Sequence, residues 1–489
     1  MIQVALRIPH SYVSRARYAL ETLALAWGLP VSVEPDGDQG HLVYASRSDV
    51  PAHLRDRTVF VPFDPAVYDA ATACSVTRID GRPAWGPDGR EAATLDLVGG
   101  TYRLLALLDE TQVEPSERDR RGVFACTALP RARGAAAGVP LVEHHAEILF
   151  EQLVHAHPAF RELQLPRWPQ GKQWAAVMTH DTDATRIGSA GEIAVNVAKA
   201  IRSRDSLSWT MVRLGLQHRR GDIRNDPLFG FPAWREWEEA RGVKSAFYLF
   251  ALPPGKRRDL HDCRSSVLDS GMHWDSLRAM AGEGWEFGLH APIGAKDDPS
   301  VFGLTKRLLE ERLQAPINGL RHHYWALDWH APWRTHREHV RAGFQYDASI
   351  AWRDRPGFRA GTALPFQPFD PEQATSLPLE VLPTGMMDDQ VISGSSAGSS
   401  LDAASPLIDA VRAVGGVLVF DWHTEAANNG LRTPGYMDRL TEIYQNVTRD
   451  SSCWRPTPSE LVTHWRDRRG RLLSRQHPSI AIPTAAGVQ

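Results

Sequence analysis

The sequence predicts an α/β protein: a closed or nearly closed β/α barrel of about seven strands, preceded by a smaller α/β unit. Three observations predict it. Beyond residue 172, apolar strand-like runs alternate with helical periodicity almost to the end. Residues 158–172, PAFRELQLPRWPQGK, are rich in Pro and Arg and read as a linker. Residues 1–165 carry their own mixture of short strands and amphipathic helices. The expected units are therefore an N-terminal α/β domain at 1–165, the barrel at 172–470 and a C-terminal tail at 471–489.

At 489 residues the chain is too long for one ordinary core. Its 43% hydrophobic and 23% charged content is that of a globular protein. A formal charge of -3 with scattered arginines gives no reason to expect nucleic acid as a partner. Cys74, Cys126, Cys263 and Cys453 are widely spaced, which argues against a disulfide framework or a zinc knuckle. The first 30 residues lack the pattern of a secretory signal, and no run of about 18 apolar residues suggests a membrane span. The expected location is the cytoplasm.

In the first unit, Val31–Val33, Leu42–Tyr44 and Thr58–Val61 read as strands, and 14–25, 96–108 and 142–154 as helices. Glu143, His144, His145, His155 and His157 show no recurring ligand spacing, so they read as the polar face and C-terminal end of a helix. In the second unit the expected strands are 174–178, 244–250, 285–289, 317–324, 346–352, 379–383 and 416–422. Helices are expected at 232–241, 274–282, 300–313, 330–342, 435–446 and 459–469. Asp297-Asp298-Pro299 reads as the start of one of them rather than as metal ligands. Residues 185–230 form a basic, partly helical insertion, and 393–405, SGSSAGSSLDAAS, a mobile small-residue loop.

Parallel α/β domains gather function at the carboxyl ends of their strands. That rule selects Asp181 and Asp183 after the first barrel strand, then His290, then Arg321, His322 and His323. Asp347 follows, and then Asp421, His423 and Glu425. Carboxylates and imidazoles converging on one rim can hold a divalent ion such as zinc in an open site and still leave a base and an acid free. No Gly-x-Ser-x-Gly nucleophile elbow is present, so hydrolysis by activated water is expected over covalent catalysis.

With these residues in view, the chain from about 172 to 470 resembles the polysaccharide deacetylases of carbohydrate esterase family four, as a divergent branch with an N-terminal α/β domain. Thr179-His180-Asp181-Thr182-Asp183 stands where that family has Thr-Phe-Asp-Asp-Gly. Gly288-Leu289-His290 matches the first half of its His-x-x-x-His motif, and Gly294 replaces the second His. Arg321, Tyr346-Asp347 and the strand ending in His423 resemble the later motifs. The resemblance implies a distorted barrel with Asp181 as catalytic base, Arg321 orienting it and His423 as general acid. It also implies metal ligation by Asp183 and His290. His323 is the candidate third ligand, with His322 the weaker choice. Trp325, Asp347 and Trp422 are the expected substrate contacts.

The activity so implied is hydrolysis of a carbon–nitrogen bond outside peptides, the deacetylation of an N-acetylated sugar or polysaccharide precursor. A hydrolase of cyclic amides or ureides and an inactive carbohydrate-binding barrel are the alternatives.

Overall fold

A computed structural model describes residues 1–37, 39–49, 57–129, 136–204, 206–269, 271–392, 400–428 and 435–473. The chain opens with four parallel strands, β1 (Ile2–Arg7), β2 (Val31–Pro35), β3 (Leu42–Ala45) and β4 (Val59–Pro62), in the order β2-β1-β3-β4. An antiparallel hairpin follows, β5 (Cys74–Ile79) and β6 (Arg82–Pro87). Asp80 and Gly81 turn it, both with positive φ, the backbone a two-residue hairpin of this hand requires. Helices Val13–Trp27, Leu97–Leu105 and Leu141–Ala156 cover this region, close to expectation. The polar-face reading of the last helix is corrected at two residues. His145 is fully buried and accepts a hydrogen bond from the Trp85 backbone N–H at 2.9 Å. Glu143 is buried and accepts from the Thr362 hydroxyl at 2.5 Å, tying the helix to the barrel.

The second sheet has nine strands rather than about seven. They are β7 (Trp174–Thr182), β8 (Ala246–Phe250), β9 (Glu286–Ala291), β10 (Gly319–His322) and β11 (Tyr346–Asp347). A separate antiparallel hairpin, β12 (Phe369–Asp370) with β13 (Thr375–Ser376), interrupts the series. Then come β14 (Glu380–Val381), β15 (Thr384–Met387), β16 (Val417–Asp421) and β17 (Cys453–Trp454). The order is β14-β11-β10-β9-β8-β7-β16-β15, with β17 also beside β7, and every pair is parallel.

The expected strand 379–383 is in fact a crossing point. β14 and β15 are the two ends of the sheet, yet only Leu382 and Pro383 separate them in the chain. The sheet must therefore curl until its edges nearly meet. Pro383, which has no N–H to donate to a ladder, sits at the seam. Helices Phe231–Glu239, Trp274–Gly282, Ser300–Leu313, Pro332–Arg341, Tyr436–Thr448 and Pro458–Leu473 form an outer layer, near their expected positions. Helix Ser400–Val414 was not expected, and it takes in residues 400–405 of the segment read as a loop; 393–399 lie outside the described residues. The basic insertion contains helices Ala190–Ser203 and Ser206–His218, the first capped by Ser189, which accepts from the Glu192 N–H.

Alternation along the strands builds two apolar cores. Ala175, Val177, Tyr248, Val417 and Val419 face the barrel interior, and their cluster is continuous with the N-terminal core. Trp174, Ala176, Met178, Phe247, Leu418, Phe420 and Trp422 face the helix layer. Arg468, buried in the last helix, links the two regions. Its guanidinium donates to the carbonyls of Leu25, Leu165 and Pro166. Replacing it as Arg468→Met leaves these carbonyls without a donor, and the expected loss of stability is about 3 kcal/mol. Urea unfolding would read this as a lower midpoint with an unchanged slope.

Candidate metal centre and active site

The same alternation explains which polar residues meet. On β7, Ala175 and Val177 point inward, so Asp181 and Asp183 continue that face, while His180 turns outward to Glu238 at 2.8 Å. On β16, Val417 and Val419 lead to Asp421 and His423. On β10, Leu320 faces the helix layer, so Arg321 and His323 turn inward. Register brings the ends together: Arg321 lies opposite His290, and Asp421 opposite Thr179. Asp181, Asp183, His290, His323, Asp421 and His423 line one cleft of about 370 Å³.

Arg321 is wholly buried at the centre of this rim. It donates to Asp181 Oδ1 at 2.9 Å, to the Thr179 and Thr384 hydroxyls at 2.8 and 3.1 Å, and to the Ala348 carbonyl at 3.1 Å. Asp421 Oδ1 stands 2.9 Å from the same Nη1 that holds Asp181. Burial raises the Asp421 carboxyl to about 8; Arg321 opposes that shift and Asp181 adds to it.

Two imidazoles have their tautomers set by their surroundings. His290 Nδ1 lies 3.1 Å from the Arg321 carbonyl, and His323 Nδ1 lies 3.1 Å from Asp262 Oδ1. In the neutral imidazoles Nδ1 donates to these acceptors, so each Nε2 bears a lone pair. Both Nε2 atoms approach the Asp183 carboxylate, at 3.1 Å from His290 and 3.7 Å from His323. Asp183 Oδ1 and His290 Nε2 are buried atoms without a hydrogen-bond partner. A proton on His290 Nε2 or a divalent ion shared by the two atoms would satisfy both, so the donor set fits a metal. Asp183, Cys263 and His323 each offer a ligand atom, all within 4.8 Å of one another. Burial would raise the Asp183 carboxyl; His323, His290 and His423, when protonated in the metal-free protein, lower it well below the usual range. Asp183 keeps 27% of its side chain exposed, which leaves an approach from the cleft.

His423 sits at the other side of Asp183, with its Nε2 3.7 Å from Oδ2. Asp388 holds it twice, accepting from the backbone N–H at 2.7 Å and pairing with Nδ1 at 2.9 Å. Burial alone would lower the His423 pKa; Asp388, then Asp183, raises it well above the ordinary histidine value. The His423 Nε2 faces the cleft.

The structure separates the remaining candidates. His322 turns outward to His339, Nε2 to Nε2 at 2.9 Å, so it is no alternative to His323. Asp347 is corrected as a substrate contact. It is fully buried on the outer face, between His336 at 3.3 Å and His339 at 3.2 Å. Trp422 is corrected likewise: alternation sends it into the helix layer against Phe420. Trp325 does line the cleft. Beside it Tyr324 is 37% exposed, with the Arg121 guanidinium 3.8 Å from its ring centre. Both aromatic residues have left-handed backbones, φ 57° and 53°, a costly conformation for bulky side chains that turns them at the rim. Sequence reasoning missed Asp262, Cys263 and Asp388. Asp388 follows the unrecognised strand β15, where the strand-end rule would have found it. The other two lie on the irregular loop after β8, which carries no such signal.

No family model matches the chain, and no curated protein sequence matches it. Solved structures with a similar fold include a candidate polysaccharide deacetylase from Mycobacterium smegmatis, 20% identical, with 65% of this chain and 96% of that one covered and a TM-score of 0.40. An allantoinase, Puue, is 14% identical over 62% of this chain and 95% of its own, at a TM-score of 0.40. A candidate polysaccharide deacetylase from Pseudomonas aeruginosa PAO1 has the same identity, coverage and TM-score as the allantoinase.

One outcome tests the acid assignment. In metal-free protein the His423 ring is expected to titrate above ordinary histidine by NMR, and Asp388→Asn to move that titration down. Because the folded pKa is raised, the pair stabilises the fold below the ordinary histidine range, and that contribution is lost as pH rises through the folded value.

Proposed function

We propose that the protein is a metal-dependent hydrolase that removes the acetyl group of an N-acetylated sugar or polysaccharide precursor. The observation that carries this reading is the pair of Nε2 lone pairs aimed at the Asp183 carboxylate, with a base and an acid on either side. Asp183, His290 and His323 hold the ion, which in this reading is zinc. It supplies Lewis acidity toward the substrate carbonyl and toward water. Asp181, oriented by Arg321, takes the proton from the attacking water. His423 gives its Nε2 proton to the departing amine as the carbon–nitrogen bond breaks, and Asp388 stabilises the ring while charged. Tyr324, 37% exposed at the rim, offers an aromatic edge to a sugar, while Trp325 lines the cleft from a buried position.

A second reading, hydrolysis of a small cyclic amide or ureide, draws support from the modest cleft of about 370 Å³, near the lower end for ligand sites. Four buried, free cysteines support a reducing, cytoplasmic setting. Among the described residues, no helix is long and apolar enough to cross a membrane. Residues 1–165 and 172–470 remain the two units in this reading.

Asp183→Ala is expected to lose bound zinc, measured by elemental analysis, and to lose activity with it. Asp181→Asn and His423→Ala are each expected to keep zinc and lower kcat by roughly 10²–10⁴-fold. Acetate release from a panel of N-acetylated sugars is the readout. Turnover of allantoin-like amides with silence on every sugar would select the second reading. Absence of any bound divalent ion, with Asp183→Ala indistinguishable from the parent, would leave an inactive carbohydrate-binding barrel.

A further inference from the structure

The loop between β8 and helix Trp274–Gly282 brings two adjacent residues onto one imidazole. Asp262 accepts the His323 Nδ1 proton at 3.1 Å and is anchored by the Ile293 N–H at 3.0 Å. Cys263 lies against the same ring, its Sγ 3.8 Å from Nε2 and 3.9 Å from Nδ1. From these contacts we infer that Cys263 is a further ligand to the ion of the proposed centre, joining Asp183 and His323, whose ligand atoms lie with its own within 4.8 Å of one another. The inference rests on the metal-centre reading above.

Three observations carry it. The first is distance. A zinc ion bound at about 2.3 Å to sulfur and about 2.0 Å to nitrogen holds those two atoms about 3.5 Å apart. The Sγ–Nε2 gap of 3.8 Å is close to that span, and Asp183 completes a group within 4.8 Å. The second is company. A buried, unreactive cysteine packs as a small apolar side chain. Cys74, Cys126 and Cys453 lie inside the two large apolar cores, Cys126 also donating to Asp354 Oδ2 at 3.2 Å, whereas Cys263 is buried but belongs to neither. The third is independent of the thiol. His290 Nε2, on a residue 1% exposed, lies 3.1 Å from Asp183 Oδ1, and neither atom has a further hydrogen-bond partner.

The arrangement also accounts for Gly294. A side chain there would begin in open space, with nothing within 4 Å of its Cβ. The loop reaches the neighbouring Ile293 through Asp262, and donors from β10 and the loop replace the one missing from the helical turn after β9. When the ion binds, the thiol proton leaves to solvent and the thiolate sulfur bonds to the metal. A thiolate makes the site soft, so zinc and cobalt are favoured over magnesium and manganese.

The test loads the full-length, metal-free protein with cobalt(II). A sulfur-to-cobalt charge-transfer band in the near ultraviolet is expected. It should vanish in Cys263→Ser and Cys263→Ala and persist in Cys126→Ser. Zinc affinity of Cys263→Ser should fall by at least about tenfold, the lower end of what loss of even an outer-shell partner costs, with an unchanged circular dichroism spectrum. Cobalt bound without a charge-transfer band, or a band that survives in Cys263→Ser, overturns the thiolate ligand and leaves the metal centre standing. A parent protein that binds no cobalt overturns both. Should the Cys263 variants fail to fold, the parent spectrum decides.

Discussion

The buried guanidinium of Arg321 is the interaction on which the barrel mouth depends. It bonds to β7 through Thr179 and Asp181, to the chain after β11 through the Ala348 carbonyl, and to β15 through Thr384. Asp421 Oδ1 at the end of β16 stands 2.9 Å from the same guanidinium. A cation removed from water is tolerated only when its donors are used and opposite charge is near, and both conditions hold here. Because the partners come from both sides of the seam at Pro383, the contact that neutralises Arg321 also draws the edges of the sheet together.

Around that cation the structure sorts four carboxyl groups by their neighbours. Asp181 is hydrogen-bonded to Arg321, Asp183 faces three imidazoles, Asp388 faces one, and Asp421 is buried with its carboxyl pushed up. One side-chain type thus stands in four different electrostatic environments. The imidazoles are sorted as well, by what holds each Nδ1: the Arg321 carbonyl for His290, Asp262 for His323 and Asp388 for His423.

A second buried network stands behind the rim. The His322 N–H donates to Ser349 Oγ, the His322 ring meets His339, and Asp347 joins His336 and His339 while accepting from the Ser349 N–H. Burial would raise the Asp347 carboxyl; hydrogen bonds from His336 and His339 hold it well below the usual range. This network fixes the residue between Arg321 and His323, so it anchors the end of β10 from the helix side.

Much of this was legible in the sequence. Apolar runs and helical periodicity located the barrel strands except β15 and β17, and the two-residue period marked Asp181 with Asp183 and Asp421 with His423 as shared faces. Applied strictly, that period also separates His323 from His322 and removes Trp422 and Asp347 from the cleft. What only the tertiary structure decided is the company each side chain keeps. Asp388 meets His423 across 35 residues, and Asp262 meets His323 across 61. Those pairings depend on how the sheet closes at Pro383 and where the loop after β8 folds back, and a strand's own periodicity carries no information about either.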